Sequence, residues 1–179
     1  MANSPPLRIV LVRHGLAGKA DPEKFPDDDL RPLTNKGKLA FAEAADGLRS
    51  LDLSPARICT SPALRTRQTA EILARALGLG PGSIKLLPAL HHEAPPKAAF
   101  PKLARLAGAG RWKATVLVLV GHEPWLGEFL SLLVAGRPGA RFRMAKGGAC
   151  LVHADAIAPG GGSLAWFLTQ DHLRDLSRS

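Results

Sequence analysis

Leu7-Arg8-Ile9-Val10-Leu11-Val12-Arg13-His14-Gly15 begins as an apolar run and stops at an arginine, a histidine and a glycine. A short run this rich in Val, Ile and Leu reads as a strand buried on both faces. Buried strands do not ordinarily finish in cationic or titratable side chains unless something anionic is held there. In open α/β sheets, ligands lie just beyond the carboxyl ends of the parallel strands. Arg13 and His14 are therefore candidates for a phosphate-handling site.

The same pattern occurs twice more. Thr115-Val116-Leu117-Val118-Leu119-Val120 is a second buried strand, and it stops at Gly121-His122-Glu123-Pro124. Ala56 to Cys59 is a shorter strand followed by Thr60-Ser61-Pro62. Ser61 reads as a helix N-cap with Pro62 at the first helical position, where its missing N–H is harmless. Parallel strands point their carboxyl ends the same way, so three separate segments deliver polar groups to one rim.

Between these strands the helical signals are clear. Thr34 reads as an N-cap, with Phe41, Ala44, Ala45, Leu48 and Leu51 forming one apolar stripe behind it. Ala63, Ala70, Leu73 and Leu77 form a second stripe, and Leu126, Phe129, Leu130 and Leu133 a third. Ile84 to Leu87 is a third short strand, and a short helix is expected around Lys97 to Leu106 within a connection over 88–113. Ala149 to Ala154 and Ser163 to Leu168 read as a final hairpin across a Pro-Gly-Gly-Gly turn. Alternating strands and helices predict a three-layer α/β/α sandwich, with a mostly parallel central sheet and an antiparallel edge strand near the C-terminus. No internal repeat or linker divides the chain, so residues 1–179 are expected to form one domain, with 1–6 as a flexible leader.

Composition narrows the function classes. A chain of 179 residues with 46% hydrophobic content buries a sizeable core. The net charge of +9 favours anionic partners, but the Lys and Arg residues are scattered and not interleaved with aromatics, so no nucleic-acid partner is expected. No segment approaches the roughly 20 apolar residues of a membrane span, and residues 1–6 are not a signal peptide; a cytoplasmic location is expected. Cys59 and Cys150 lack metal spacing, suit a reducing compartment and read as buried packing.

The acidic triplet Asp27-Asp28-Asp29 lacks alternating ligand spacing and reads as solvated loop charge. His91-His92 has no third ligand at usable spacing, so no metal is expected there. Glu93 on its own reads as a solvated loop carboxylate. Arg65 lies in the first turn of its helix, where the helix dipole disfavours a cation unless an anion is shared with the helix amides. Gln68 and Thr69, one turn further on, have packing or local capping as their alternative role.

Two arginines and two histidines on one rim suit phosphoryl chemistry. Arginines clamp the nonbridging oxygens and neutralise developing charge. A neutral imidazole attacks phosphorus, and a second imidazole, protonated near neutral pH, donates to a phosphoryl oxygen. The cationic side chains stand where other enzymes use a metal, so no cofactor is expected.

These residues, in order, resemble the histidine phosphatase superfamily of phosphoglycerate mutase-like fold. The resemblance is carried by Arg13-His14-Gly15, Arg31-Pro32-Leu33-Thr34 with Gly37, Ser61-Pro62-x-x-Arg65-x-x-Gln68-Thr69 and Gly121-His122-x-Pro124. The short chain and the Arg-Pro-Leu-Thr segment are most similar to SixA-type phosphohistidine phosphatases. The resemblance implies that His14 is the nucleophile and that Arg13, Arg65 and His122 complete the phosphate pocket. Leu16-Ala17 departs from many phosphoester-cleaving members, which carry an acidic or hydroxyl residue after the glycine. Those members also take a glutamate acid from the connection after the third strand, where Glu93 is the local candidate. SixA-like members lack that acid.

The expected activity is that of a metal-independent phosphatase with a phosphohistidine intermediate, acting on phosphohistidine in a protein partner. The alternatives are a phosphatase for small phosphoesters with Glu93 as acid, and a non-catalytic anion-binding module.

Overall fold

The computed structural model describes residues 7–55, 57–108 and 116–178. The expected leader, Ala56, Thr115 and the end of the 88–113 connection lie outside the described residues. Six strands form one sheet in the order β3-β2-β4-β1-β5-β6. They are β1 (Leu7–Arg13), β2 (Arg57–Thr60), β3 (Ile84–Leu86), β4 (Val116–Gly121), β5 (Ala149–Ala154) and β6 (Gly162–Leu168). The pairs β1–β4, β2–β4 and β2–β3 are parallel. The C-terminal hairpin supplies the antiparallel part: β5 lies against β1 and β6 against β5, so antiparallel pairing begins one strand in from the edge.

Strand periodicity sorts the apolar residues into two cores. Ile9, Leu11, Leu117 and Leu119 face α3 (Ala99–Gly108) and α4 (Trp125–Ala135), meeting Phe100, Leu103, Trp125 and Phe129. Val10, Val12, Val118 and Val120 face the opposite layer, α1 (Asn35–Ser50), α2 (Leu64–Ala76) and α5 (Gln170–Leu176), through Phe41, Leu48, Leu73 and Leu173. Burying each leucine-sized side chain stabilises the fold by roughly 1.5–3 kcal/mol, so apolar packing is the main force holding both layers to the sheet. Buried polar side chains are concentrated elsewhere. His14, Thr60, Ser61, Arg65, Thr66, Thr69 and His122 are all buried on or just after the carboxyl ends of β1, β2 and β4.

Thr34 caps α1 as expected, its Oγ1 accepting from the Gly37 N–H at 2.9 Å. Gly37 is required there, because a Cβ would collide with the Leu16 carbonyl. The expected start of α2 is corrected. The helix begins at Leu64 behind Ala63, with no side-chain cap. Ser61 continues the β2 edge, donating its N–H to the Val120 carbonyl at 3.1 Å, and its hydroxyl goes to His122 instead. A tertiary partner has overridden a local capping signature. Helix α5 carries no stripe in the sequence, since Leu173 is its one buried residue. Both cysteines are buried packing residues, and burial pushes the thiols up to about 11 at Cys59 and about 12 at Cys150. Among the described residues no helix is long and apolar enough to cross a membrane.

Candidate active site

β1 and β4 run side by side with Arg13 opposite Gly121, so His14 and His122 leave the sheet as neighbours. Their rings meet edge to face at 5.4 Å between centroids. The exit of β1 is held on several sides. The His14 N–H donates to the Gly121 carbonyl at 3.1 Å, and the Gly15 N–H donates to Thr69 Oγ1 at 3.1 Å. Gly147, at φ 71°, donates its N–H towards the carbonyls of Arg13 and His14 at 3.2 and 3.1 Å. Gln68 Oε1 accepts from the Leu33 N–H at 2.8 Å, tying the Arg-Pro-Leu-Thr segment to α2. Gln68 and Thr69 thus align separate motifs, and do not merely pack.

His14 is 7% exposed. Its Nδ1 lies 2.7 Å from the Gly15 carbonyl, which can only accept, so Nδ1 carries the proton and Nε2 keeps the lone pair. Burial lowers its pKa to about 4, with Arg65, Arg13 and Lys146 adding to the effect against the Gly15 hydrogen bond. At neutral pH the imidazole is uncharged, as a nucleophile must be.

His122 is also buried, and its Nε2 shares a hydrogen bond with Ser61 Oγ at 2.9 Å. The expectation of a protonated His122 is corrected here: burial first, then the Arg65 charge and His14, hold its pKa well below the ordinary histidine range. A neutral imidazole still offers one N–H, so it remains a hydrogen-bond donor.

The two arginines are desolvated cations. Arg13 Nη1 donates to the Met144 carbonyl at 2.7 Å, and the Met144 N–H donates to Glu123 Oε1 at 2.8 Å. Arg65 is 4% exposed; its Nη1 donates to the Asp28 carbonyl at 2.7 Å, and its Nη2 stands 3.2 Å from Asp28 Oδ2. Burial lowers both guanidinium pKa values, opposed by Glu123 at Arg13 and by Asp28 at Arg65. Asp28 is itself held by Arg31, whose Nε donates to Oδ1 at 2.7 Å and which, with the nearby Arg65 charge, lowers the carboxyl pKa. The acidic triplet is therefore not simply solvated charge: Asp28 positions a site arginine, and Asp29 Oδ2 meets His91 Nε2 at 2.8 Å.

Three buried nitrogens in this region have no partner: Arg13 Nε, Arg65 Nε and His122 Nδ1. Buried donors without acceptors need a reason, and here they accompany an α2 amino terminus that no side chain caps. A groove of about 1260 Å³ runs outward from Arg13 past Glu123, Pro124, Phe142 and Arg143.

Glu93 is not brought into this group. Its side chain is 78% exposed, with Oε2 3.8 Å from His91 Nδ1. It makes no hydrogen bond or ion pair with Arg13, His14, Arg65 or His122 among the described residues. The rings that approach His122 from this segment are those of His92, at 5.4 Å, and His91, at 6.5 Å. A carboxylate also lies beside His91-His92. It is Asp29, distant in sequence and therefore invisible to a spacing rule.

The α/β/α fold and the comparisons with known proteins define a phosphatase. Residues 9–92 match the model of histidine phosphatase superfamily branch 1, and the chain belongs to the histidine phosphatase superfamily. An uncharacterized protein of Picosynechococcus sp. is 39% identical over 145 residues, which is 79% of this chain and 82% of that one. The tungstate complex of the protein histidine phosphatase SixA matches with a TM-score of 0.78 and 25% identity, covering 93% of this chain and 99% of that one. A mycobacterial glucosyl-3-phosphoglycerate phosphatase matches with a TM-score of 0.63 and 17% identity, covering 91% of this chain and 99% of the other; this likeness is one of fold alone.

Proposed function

We propose that this phosphatase uses His14 as its nucleophile, needs no metal for phosphoryl transfer, and removes phosphate from phosphohistidine in a protein partner. The observation that carries the reading is the set of unpartnered donors on Arg13, Arg65 and His122 around an imidazole whose Nε2 lone pair is free. A phosphoryl group supplies the acceptors those donors lack.

In the first step the Nε2 lone pair attacks phosphorus and the substrate P–N bond breaks. Its electron pair stays on the leaving imidazole, which is protonated in the substrate itself. Water then attacks phosphorus on phospho-His14, the new P–N bond breaks, and orthophosphate leaves as His14 is restored. Arg13 and Arg65 neutralise the equatorial oxygens throughout. His122, its ring fixed by Ser61, donates one hydrogen bond to them.

Two features favour phosphohistidine over a phosphoester. An alkoxide leaving group needs a proton from the enzyme, and Glu93 faces solvent. The groove beyond Arg13 is open enough to admit a protein segment. A small phosphoester is the second reading, favoured by the fold shared with the glucosyl-3-phosphoglycerate phosphatase. The test is a rate comparison between a phosphohistidine protein and a panel of phosphoesters. The reading predicts kcat/KM highest for the phosphohistidine protein; a phosphoester turned over faster would overturn it.

A further inference from the structure

We infer that Asp29, His91 and His92 form a three-ligand site for a divalent cation of the zinc type, set beside the phosphate pocket. One ligand atom from each residue lies within 4.8 Å of the other two, and this is the one such group among the described residues. The Asp29 carboxylate spans both imidazoles. Its Oδ2 is 2.8 Å from His91 Nε2, and its Oδ1 is 4.0 Å from His92 Nδ1.

The two halves of that carboxylate are used unequally. Oδ2 is satisfied by His91, but Oδ1 is buried and accepts no hydrogen bond. An orphaned carboxylate oxygen facing an imidazole nitrogen beyond hydrogen-bond reach is the arrangement a cation resolves. His91 offers Nε2 to Asp29 while its Nδ1 faces the Glu93 N–H at 3.4 Å, so the ring is already oriented from its far side. An ion here replaces the proton shared by His91 and Asp29. The ring centroids of His91 and His92 are 4.2 Å apart, so both imidazoles flank the same carboxylate.

Ligand chemistry selects the ion class. Two imidazoles and one carboxylate suit zinc and its neighbours, not calcium or magnesium, which take oxygen. Three protein ligands leave at least one position for water or a phosphoryl oxygen. The His122 ring of the pocket lies 5.4 Å from that of His92. None of the three ligands is a group that transfers phosphate in the proposed reaction, so ion binding and turnover are separable claims.

The test is a zinc titration of tag-free, chelator-stripped full-length protein by calorimetry, with no phosphate present. One ion per chain is expected in the wild type, with affinity at least tenfold weaker in His92→Asn and in Asp29→Asn. His92 is exposed and makes no hydrogen bond among the described residues, so His92→Asn is the variant expected to fold, and it carries the result if Asp29→Asn does not. Absence of stoichiometric binding, or equal affinity in wild type and His92→Asn, overturns the site. Because the readout is binding, a failure here leaves the phosphatase reading untouched.

Discussion

His14 and His122 lie among arginines; His91 and His92 lie against a carboxylate, with only 5.4 Å between the rings of His92 and His122. The first pair is buried at strand ends, surrounded by donors that lack acceptors, and burial plus cationic neighbours hold it neutral. The second pair sits in a loop, half-buried to exposed, and shares an oxygen that lacks a donor. One residue type thus serves opposite ends: the inner pair is built to receive an anion and the outer pair a cation. Environment, not residue identity, separates them, and substitutions on each side sharpen or break that division.

Apart from loss of the nucleophile itself, the largest effect is expected at Arg65. Removing a preorganised charge from a developing oxyanion lowers rates by about 10²–10³-fold, so Arg65→Ala is expected to reduce kcat/KM by that factor. A rate within threefold of wild type would remove Arg65 from the inner site.

His14 makes a pH prediction. Its pKa is about 4 in the fold against 6.5 for the ordinary group. As pH falls below 6.5 the unfolded chain takes up this proton first. The fold therefore loses stability between pH 6.5 and about 4, by up to about 3 kcal/mol. Above that window His14 contributes no pH dependence. Denaturant unfolding at neutral and acidic pH is expected to show a smaller acid loss in His14→Gln than in wild type; equal losses would mean that burial does not hold His14 neutral.

Asp28 joins the two halves, since it holds Arg65 while its neighbour Asp29 holds His91. Asp28→Asn weakens a charge-assisted contact and is expected to lower kcat/KM by about tenfold or less, through KM, with an unchanged thermal midpoint. A lower midpoint with unchanged KM would make Asp28 a stability residue only. The smallest effect belongs to Glu93. An exposed carboxylate outside the pocket predicts that Glu93→Gln changes turnover of either substrate class by less than about twofold. A selective loss on phosphoesters would restore Glu93 as a general acid.

What was legible in the sequence follows the length of each signal. β1 and β4 are uninterrupted apolar runs that end in histidine, so their burial, their parallel pairing and the meeting of His14 with His122 could all be argued beforehand. Thr34 was readable because capping is local. Ser61 misled for the same reason: its Ser-Pro signature is local, and its actual partner, His122, is remote in sequence. Asp28, Asp29, Met144 and Gly147 act through loops, where no periodicity marks them and only tertiary proximity gives them a role. α5 is too short to carry a stripe.

The central claim, a phosphoryl group carried on His14, is tested most directly by trapping the phosphoenzyme. Rapid acid-free quenching during turnover, with mapping by mass spectrometry and ³¹P NMR, reads both the residue and the ring nitrogen. The account predicts phosphate on Nε2 of His14, because Nδ1 is committed to the Gly15 carbonyl, and no label in His14→Ala. Phosphate on another residue, or label that persists in His14→Ala, would contradict it.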